Sequence, residues 1–127
     1  MHIEPGLEGS VTLTVGDADS AIAMGSGDVA VLATPRVVAL MEAAAVVAIE
    51  DSLPRGFTSV GSRIEVDHLA PTAIGGDVVA HAVVTGIEGR SVGFDVTVDE
   101  GESTVARGSH VRVVVERGRF VARLAGS

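Results

Sequence analysis

Apolar and polar positions change rhythm twice along this chain. Val11, Leu13 and Val15 alternate with Thr12 and Thr14. That two-residue period belongs to a half-buried strand and assigns residues 7–15 to a first one. Residues 16–33 mix Gly, Asp, Ser and small apolar residues, which reads as a loop holding one short helical turn. Between Val37 and Ile49 every residue is apolar except Glu42. Thr34-Pro35 opens this run as a helix start: a Thr N-cap accepts from free backbone N–H groups, and Pro tolerates the first helical position. Leu53-Pro54 and Arg55-Gly56 close it near Ser52. The resulting helix is about 26 Å long at 1.5 Å per residue. It is apolar nearly all round, the mark of a buried central helix.

Beyond Gly56 the strand period returns. Over 58–68, Val60, Ser62, Ile64, Val66 and His68 share one face and Ser59, Gly61, Arg63, Glu65 and Asp67 the other. Residues 70–77 form a turn and 78–88 a long strand. Gly89-Arg90 is a tight connection to a strand over 91–100, and Gly101-Glu102 turns again. The strand over 103–116 shifts its alternation near Gly108, which predicts a bulge there. A last short strand is expected over 119–124. The predicted order is therefore a strand, a long buried helix, and about five antiparallel strands joined by hairpins. This is an α+β chain, expected to form a single domain over 1–127. An antiparallel sheet with one apolar face covers such a helix most simply by wrapping around it, the hot-dog arrangement. The competing α+β cone of the nuclear-transport-factor type starts with helices and is rich in aromatics. This chain starts with a strand, and Phe57, Phe94 and Phe120 are its aromatic residues. Sides of the helix that the sheet leaves bare call for a partner subunit.

Composition narrows the function classes. The 127 residues are 46% hydrophobic, with mean hydropathy +0.44, enough for a packed core. The net charge is −8, there is no Lys, and the nine Arg are scattered. That pattern excludes the basic stripe nucleic acids need and the cluster an anionic membrane needs. No Cys is present, so thiolate nucleophiles, disulfides and Cys-bound metals are out. The opening "MHIEPGLEGS" has neither the basic nor the apolar region of a signal peptide. The helix carries Glu42 and is too short to span a bilayer. A cytoplasmic location is the resulting expectation.

Three residues stand out chemically. The helical neighbours of Glu42, at Val38, Ala39, Ala45 and Val46, are all apolar. A buried carboxylate there needs an Arg partner or a solvated dimer seam, or else serves as an active-site acid or base. His68 ends the apolar face of its strand and should point toward the helix. It is either a core histidine bonded to a carbonyl or, converging with Glu42, a group that deprotonates a water or hydroxyl. Thr34 is either a plain cap or a hydroxyl at the positive end of a helix, where an oxyanion is favoured. His2, His81 and His110 gain no partner from the pattern and read as structural.

Thr34-Pro35, Glu42 eight residues on and His68 a further 26 on, framed by "TPRVVALMEAAA" and "GFTSVGSRIEVDHLAPT", resemble the catalytic Thr, Glu and His of the fluoroacetyl-CoA thioesterase family. The resemblance spans about residues 7–118. It implies a homodimeric hot-dog acyl-CoA thioesterase without metal or cofactor, in which Thr34, Glu42 and His68 hydrolyse the thioester. Gly61 matches a glycine whose N–H contacts the thioester carbonyl, and Arg112 is a candidate for contacting the pantetheine or phosphate part of CoA. The fluoroacetyl-specific enzyme has aromatic gate residues shortly before its Thr. Residues 22–33 here, "IAMGSGDVAVLA", hold none, which points to an ordinary acyl group. On one straight helix Thr34 and Glu42 lie about 12 Å apart. They therefore act around a substrate, across a dimer, or with Thr34 in a folded-back loop. Rival functions are a hot-dog hydratase and a non-catalytic acyl-CoA binder. The hydratase reading is weakened because the adjacent Asp67 and His68 point to opposite strand faces.

Overall fold

The computed structural model describes residues 2–126. Strand β1 (Glu8–Thr14) leads through a 3-10 turn (Asp17–Asp19) and a four-residue helix α1 (Ala21–Met24) to helix α2 (Thr34–Glu50). Strands β2 (Phe57–His68), β3 (Asp77–Glu88), β4 (Ser91–Glu100) and β5 (Ser103–Glu116) follow, then helix α3 (Arg117–Leu124). The five strands form one antiparallel sheet in the order β1-β3-β4-β5-β2, with α2 packed on it. The hot-dog expectation holds, with four strands after the helix rather than about five.

Helix α2 buries Val37, Leu40, Met41, Ala44, Ala45, Ala48 and Ile49. This three-and-four spacing makes one stripe. Its opposite side is not covered by this chain: Ala39, Ala43 and Val47 are exposed, with Glu42 and Val46 at the border. The all-round burial expected of the helix is therefore partial. The stripe meets inward residues of the sheet, Val78, Ala80, Ala82 and Val84 on β3 and Val92, Phe94, Val96 and Val98 on β4. Gly9 on β1 sets how close the helix comes. A Cβ at that position would collide with the backbone of Ala44 and Ala48, so only a glycine lets α2 lie directly on the strand.

Three local expectations are corrected. The helix N-cap is Ala33, and Thr34 is the first helical residue, with Pro35 behind it. The Thr34 hydroxyl is thereby released from capping. The bulge expected near Gly108 is in β5 but three residues earlier, at Val105, which the Val98–Ala106 and Asp99–Thr104 pairs leave as the extra residue. The β2–β5 register breaks between Gly61 and Arg63, making Ser62 the extra residue, and the β4–β5 register breaks at Val98/Asp99. Gly108 answers a different need: a Cβ there would strike the Glu65 carbonyl of β2. Finally, residues 119–124 belong to α3 and not to a strand. The Glu116 carboxylate accepts hydrogen bonds from the Gly118 and Arg119 N–H groups, caps the turn and starts a helix.

Candidate active site

The end of β2 and the start of α2 bring the first two predicted residues together. His68 pairs with Ala106 at the last register position of β2, and its ring reaches across to the helix start. Thr34 Oγ1 and His68 Nδ1 are 2.8 Å apart. They line a cavity of about 270 Å3 with Val31, Leu32, Leu69 and Pro71. The loop carrying Val31 is held by paired bridges, Ser20 to Leu32 and Val31 to Ala73. Arg36 of α2 ties in the preceding turn, its Nε donating to Asp19 Oδ1 at 2.8 Å. The Gly16 N–H and the Arg36 donor hold the Asp19 carboxyl below its usual range. His68 Nε2 is buried and has no hydrogen-bond partner among the described residues. When Nδ1 accepts the Thr34 proton, Nε2 carries the ring's own hydrogen.

Glu42 belongs to a second cluster, two turns further along the helix. Helix α2 runs unbroken from Thr34 to Glu50, so the axial offset between Thr34 and Glu42 is about 12 Å. The two are not in one constellation within a single chain. Glu42 is not an orphan carboxylate, because Arg112 Nη1 donates to its Oε2 at 3.2 Å. The Glu42 side chain remains 40% exposed while that of Arg112 is 8% exposed. The carboxylate thus keeps an open side. Glu42, Gly61, Ser62, Arg63, Ile64 and His110 surround a second cavity of about 210 Å3.

Gly61 reaches this cluster because of the bulge. One extra residue at Ser62 flips the side-chain alternation of β2. Gly61 and Ser59, assigned from the pattern to the outer face, therefore turn inward. A Cβ on Gly61 would lie 2.6 Å from Glu42 Oε2, so the carboxylate fills the space a side chain would take. Arg112 also looks inward. Its Nε donates to Ser59 Oγ at 2.8 Å, its Nη2 to the Ser59 carbonyl at 3.1 Å, and its Nη1 faces His110 Nε2 at 3.2 Å. The guanidinium is committed inside the protein rather than free for a phosphate. His110, which the pattern left without a partner, is joined to Arg112 and to the Arg63 carbonyl. The available signal was the spacing: His110 and Arg112 are two apart on one strand, so they share a face.

The family model described as fluoroacetyl-CoA-specific thioesterase matches residues 15–118. The chain belongs to that family. A fluoroacetyl-CoA thioesterase from Streptantibioticus cattleyicolor is 35% identical over 94 residues, covering 74% of this chain and 68% of that protein. A solved structure of the fluoroacetyl-CoA thioesterase FlK superposes with a TM-score of 0.91 at 27% identity, covering 98% of this chain and 97% of the other. A hot-dog-like protein from Thermanaerovibrio acidaminovorans gives 0.86 at 30% identity, over 94% and 89% of the two chains. Residues 22–30 are exposed and hold no aromatic residue. Among the described residues no group of three or more His, Cys, Asp or Glu suits a metal, and no helix is long and apolar enough to cross a membrane.

Proposed function

We propose that this chain hydrolyses a small or medium acyl-CoA thioester to the free acid and CoA, as a homodimer and without metal or cofactor. Family membership supplies the thioester-hydrolase class. The observation that carries the site assignment is the 2.8 Å contact between Thr34 Oγ1 and His68 Nδ1 at the mouth of a lined cavity. A hydroxyl within hydrogen-bond reach of an imidazole is the minimum for proton removal in acyl transfer. His68 takes the proton as oxygen bonds the carbonyl carbon, and returns it to sulfur as the C–S bond breaks. Water then cleaves any ester formed at Thr34. A water beside Thr34 serves as nucleophile equally well, and acyl-Thr34 trapped by rapid quench and mass spectrometry distinguishes the two routes.

Glu42 and Gly61 are assigned to the same reaction, Glu42 as base or transient nucleophile and the Gly61 N–H at the developing oxyanion. Because the two clusters are about 12 Å apart along α2, one chain's Thr34 and His68 are proposed to work with the other copy's Glu42 and Gly61. The uncovered strip of Ala39, Ala43 and Val47 beside Glu42 supports this: apolar residues on the bare side of a helix are what a second copy would cover. Arg112 is proposed to hold Glu42 in place rather than to contact CoA. An aromatic-free segment over 22–33 supports an ordinary acyl group in preference to fluoroacetyl.

The test is thiol release from acyl-CoAs running from acetyl to palmitoyl, with fluoroacetyl and phenylacetyl added. The protein has no Cys, so a thiol-reactive dye sees only CoA. Turnover should fall about 100-fold or more in His68→Ala and Thr34→Ala, the usual cost of losing a positioned acid–base group or its partner. Undiminished turnover in His68→Ala overturns the assignment. A folded dimer silent on the whole panel turns the reading to an acyl-CoA binder.

A further inference from the structure

We infer that His110 is a positioning residue, holding Arg112 and through it the carboxylate of Glu42. The inference rests on the thioesterase reading above but adds a residue that the resemblance did not supply. His110 is 2% exposed and points inward from β5, its ring against Phe94 with centroids 5.9 Å apart. Its two nitrogens have partners of opposite kind. Nδ1 is 2.7 Å from the Arg63 carbonyl, which only accepts, so Nδ1 carries the hydrogen. Nε2 is 3.2 Å from Arg112 Nη1, which only donates, so Nε2 is bare and accepts. The ring is fixed as neutral and in one tautomer by the groups around it.

Arg112 Nη1 has two hydrogens. One goes to His110 and the other to Glu42 Oε2 at 3.2 Å. Nε and Nη2 grip Ser59 Oγ and the Ser59 carbonyl. The guanidinium is thus held along both sides, and the ring on it from its own strand is that of His110. His110 also bonds the carbonyl of Arg63, the residue just past the Ser62 bulge that turns Gly61 toward Glu42. One imidazole therefore braces both the arginine that holds the carboxylate and the strand irregularity that makes room for it.

Protonation would break this arrangement. It would set N–H against N–H and cation against cation at Arg112. The charged groups facing His110 are Arg112 from β5 and Glu42 from α2, while β2 presents the Arg63 carbonyl and β4 the Phe94 ring. Burial, ahead of the other influences, holds the His110 pKa below its ordinary value. The Arg112 charge acts in the same direction, and the Arg63 carbonyl and Glu42 oppose it.

The test compares His110→Phe, which keeps the ring against Phe94 but has no acceptor, with His110→Gln, whose Oε1 can still accept from Arg112. Each is made in the wild-type and Glu42→Ala backgrounds, with kcat and KM for thiol release measured. H110F is expected to lower kcat roughly 10- to 100-fold with KM little changed, as misplacement of a catalytic group does. H110Q should recover most of the loss, and H110F should cost nothing further once Glu42 is gone. Equal losses in both backgrounds, or a loss confined to KM, overturn the inference. A second measurement is independent of turnover and of H110F folding. Long-range proton–nitrogen spectra of the wild type should show His110 protonated at Nδ1, with its titration moved below the ordinary histidine value. An Nε2-protonated ring, or one titrating at 6.5, its ordinary value, overturns it. If no acyl-CoA is hydrolysed, the thioesterase reading fails and these spectra still decide whether the His110–Arg112 brace exists.

Discussion

A methyl group at position 61 has one place to go, and the Glu42 carboxylate is already there, 2.6 Å from where the Cβ would sit. The obstacle is the end of a flexible side chain, not backbone, and Gly61 has no positive φ. Gly61→Ala should therefore swing Glu42 aside and leave the sheet intact. The expected result is a stability change within about 1 kcal/mol by urea denaturation, with kcat for thiol release down roughly tenfold or more. A variant that unfolds, or one that works normally, contradicts this account of Gly61. The pattern could name Thr34, His68 and Glu42, because a hydroxyl, an imidazole and a carboxylate are conspicuous in apolar surroundings. It could not show that Glu42 is paired with Arg112, 70 residues away, or that His110 completes the group. Those contacts depend on strand register, which is set by long-range pairing, and on a bulge at Ser62, a residue that carries no local mark of one.

At the scale of elements, the strong periods were readable and the weak ones were not. Helix α2 and strands β2 to β5 follow from long runs with a clear repeat. The tail over 119–124 is six residues, too short to separate a period of two from one of 3.6. What makes it helical is the Glu116 carboxylate on the Gly118 and Arg119 N–H groups. Gly108 reads as a bulge from the pattern because the same residue serves bulges and close strand approaches alike. Gly9 is the element-scale counterpart of Gly61, with the opposite consequence. Its missing Cβ lies against the backbone of Ala44 and Ala48, which cannot move without displacing all of α2. Gly9→Ala should cost about 1–3 kcal/mol, as overpacking does. The measurement is the urea midpoint at unchanged m-value. A wild-type midpoint would mean that α2 does not rest on β1 as described.

At the scale of the whole molecule, the proposed reaction asks two half-sites on one helix to serve one thioester. Thr34 with His68 and Glu42 with Gly61 are about 12 Å apart along a single rigid element, and no side-chain motion closes that gap. The bare strip of Ala39, Ala43 and Val47 lies beside Glu42. A two-fold axis crossing α2 near position 38, at the Ala39 end of that strip, would set the two copies' α2 helices against each other in opposite directions, with each Thr34 level with the other copy's Glu42. Subunit mixing tests this directly. His68→Ala and Glu42→Ala are each expected to be nearly inactive alone. In a mixed dimer, one of the two shared sites takes His68 from the Glu42→Ala copy and Glu42 from the His68→Ala copy, and is fully wild type. The other site carries both lesions. Random exchange of equal amounts makes half the dimers mixed, so turnover should recover to about one quarter of the wild-type level. If each chain instead builds its own site, every site in the mixture retains one lesion, and exchange restores nothing. Size-exclusion chromatography with differently tagged copies verifies that exchange has taken place, so a mixture that exchanges and stays inactive rejects the shared site.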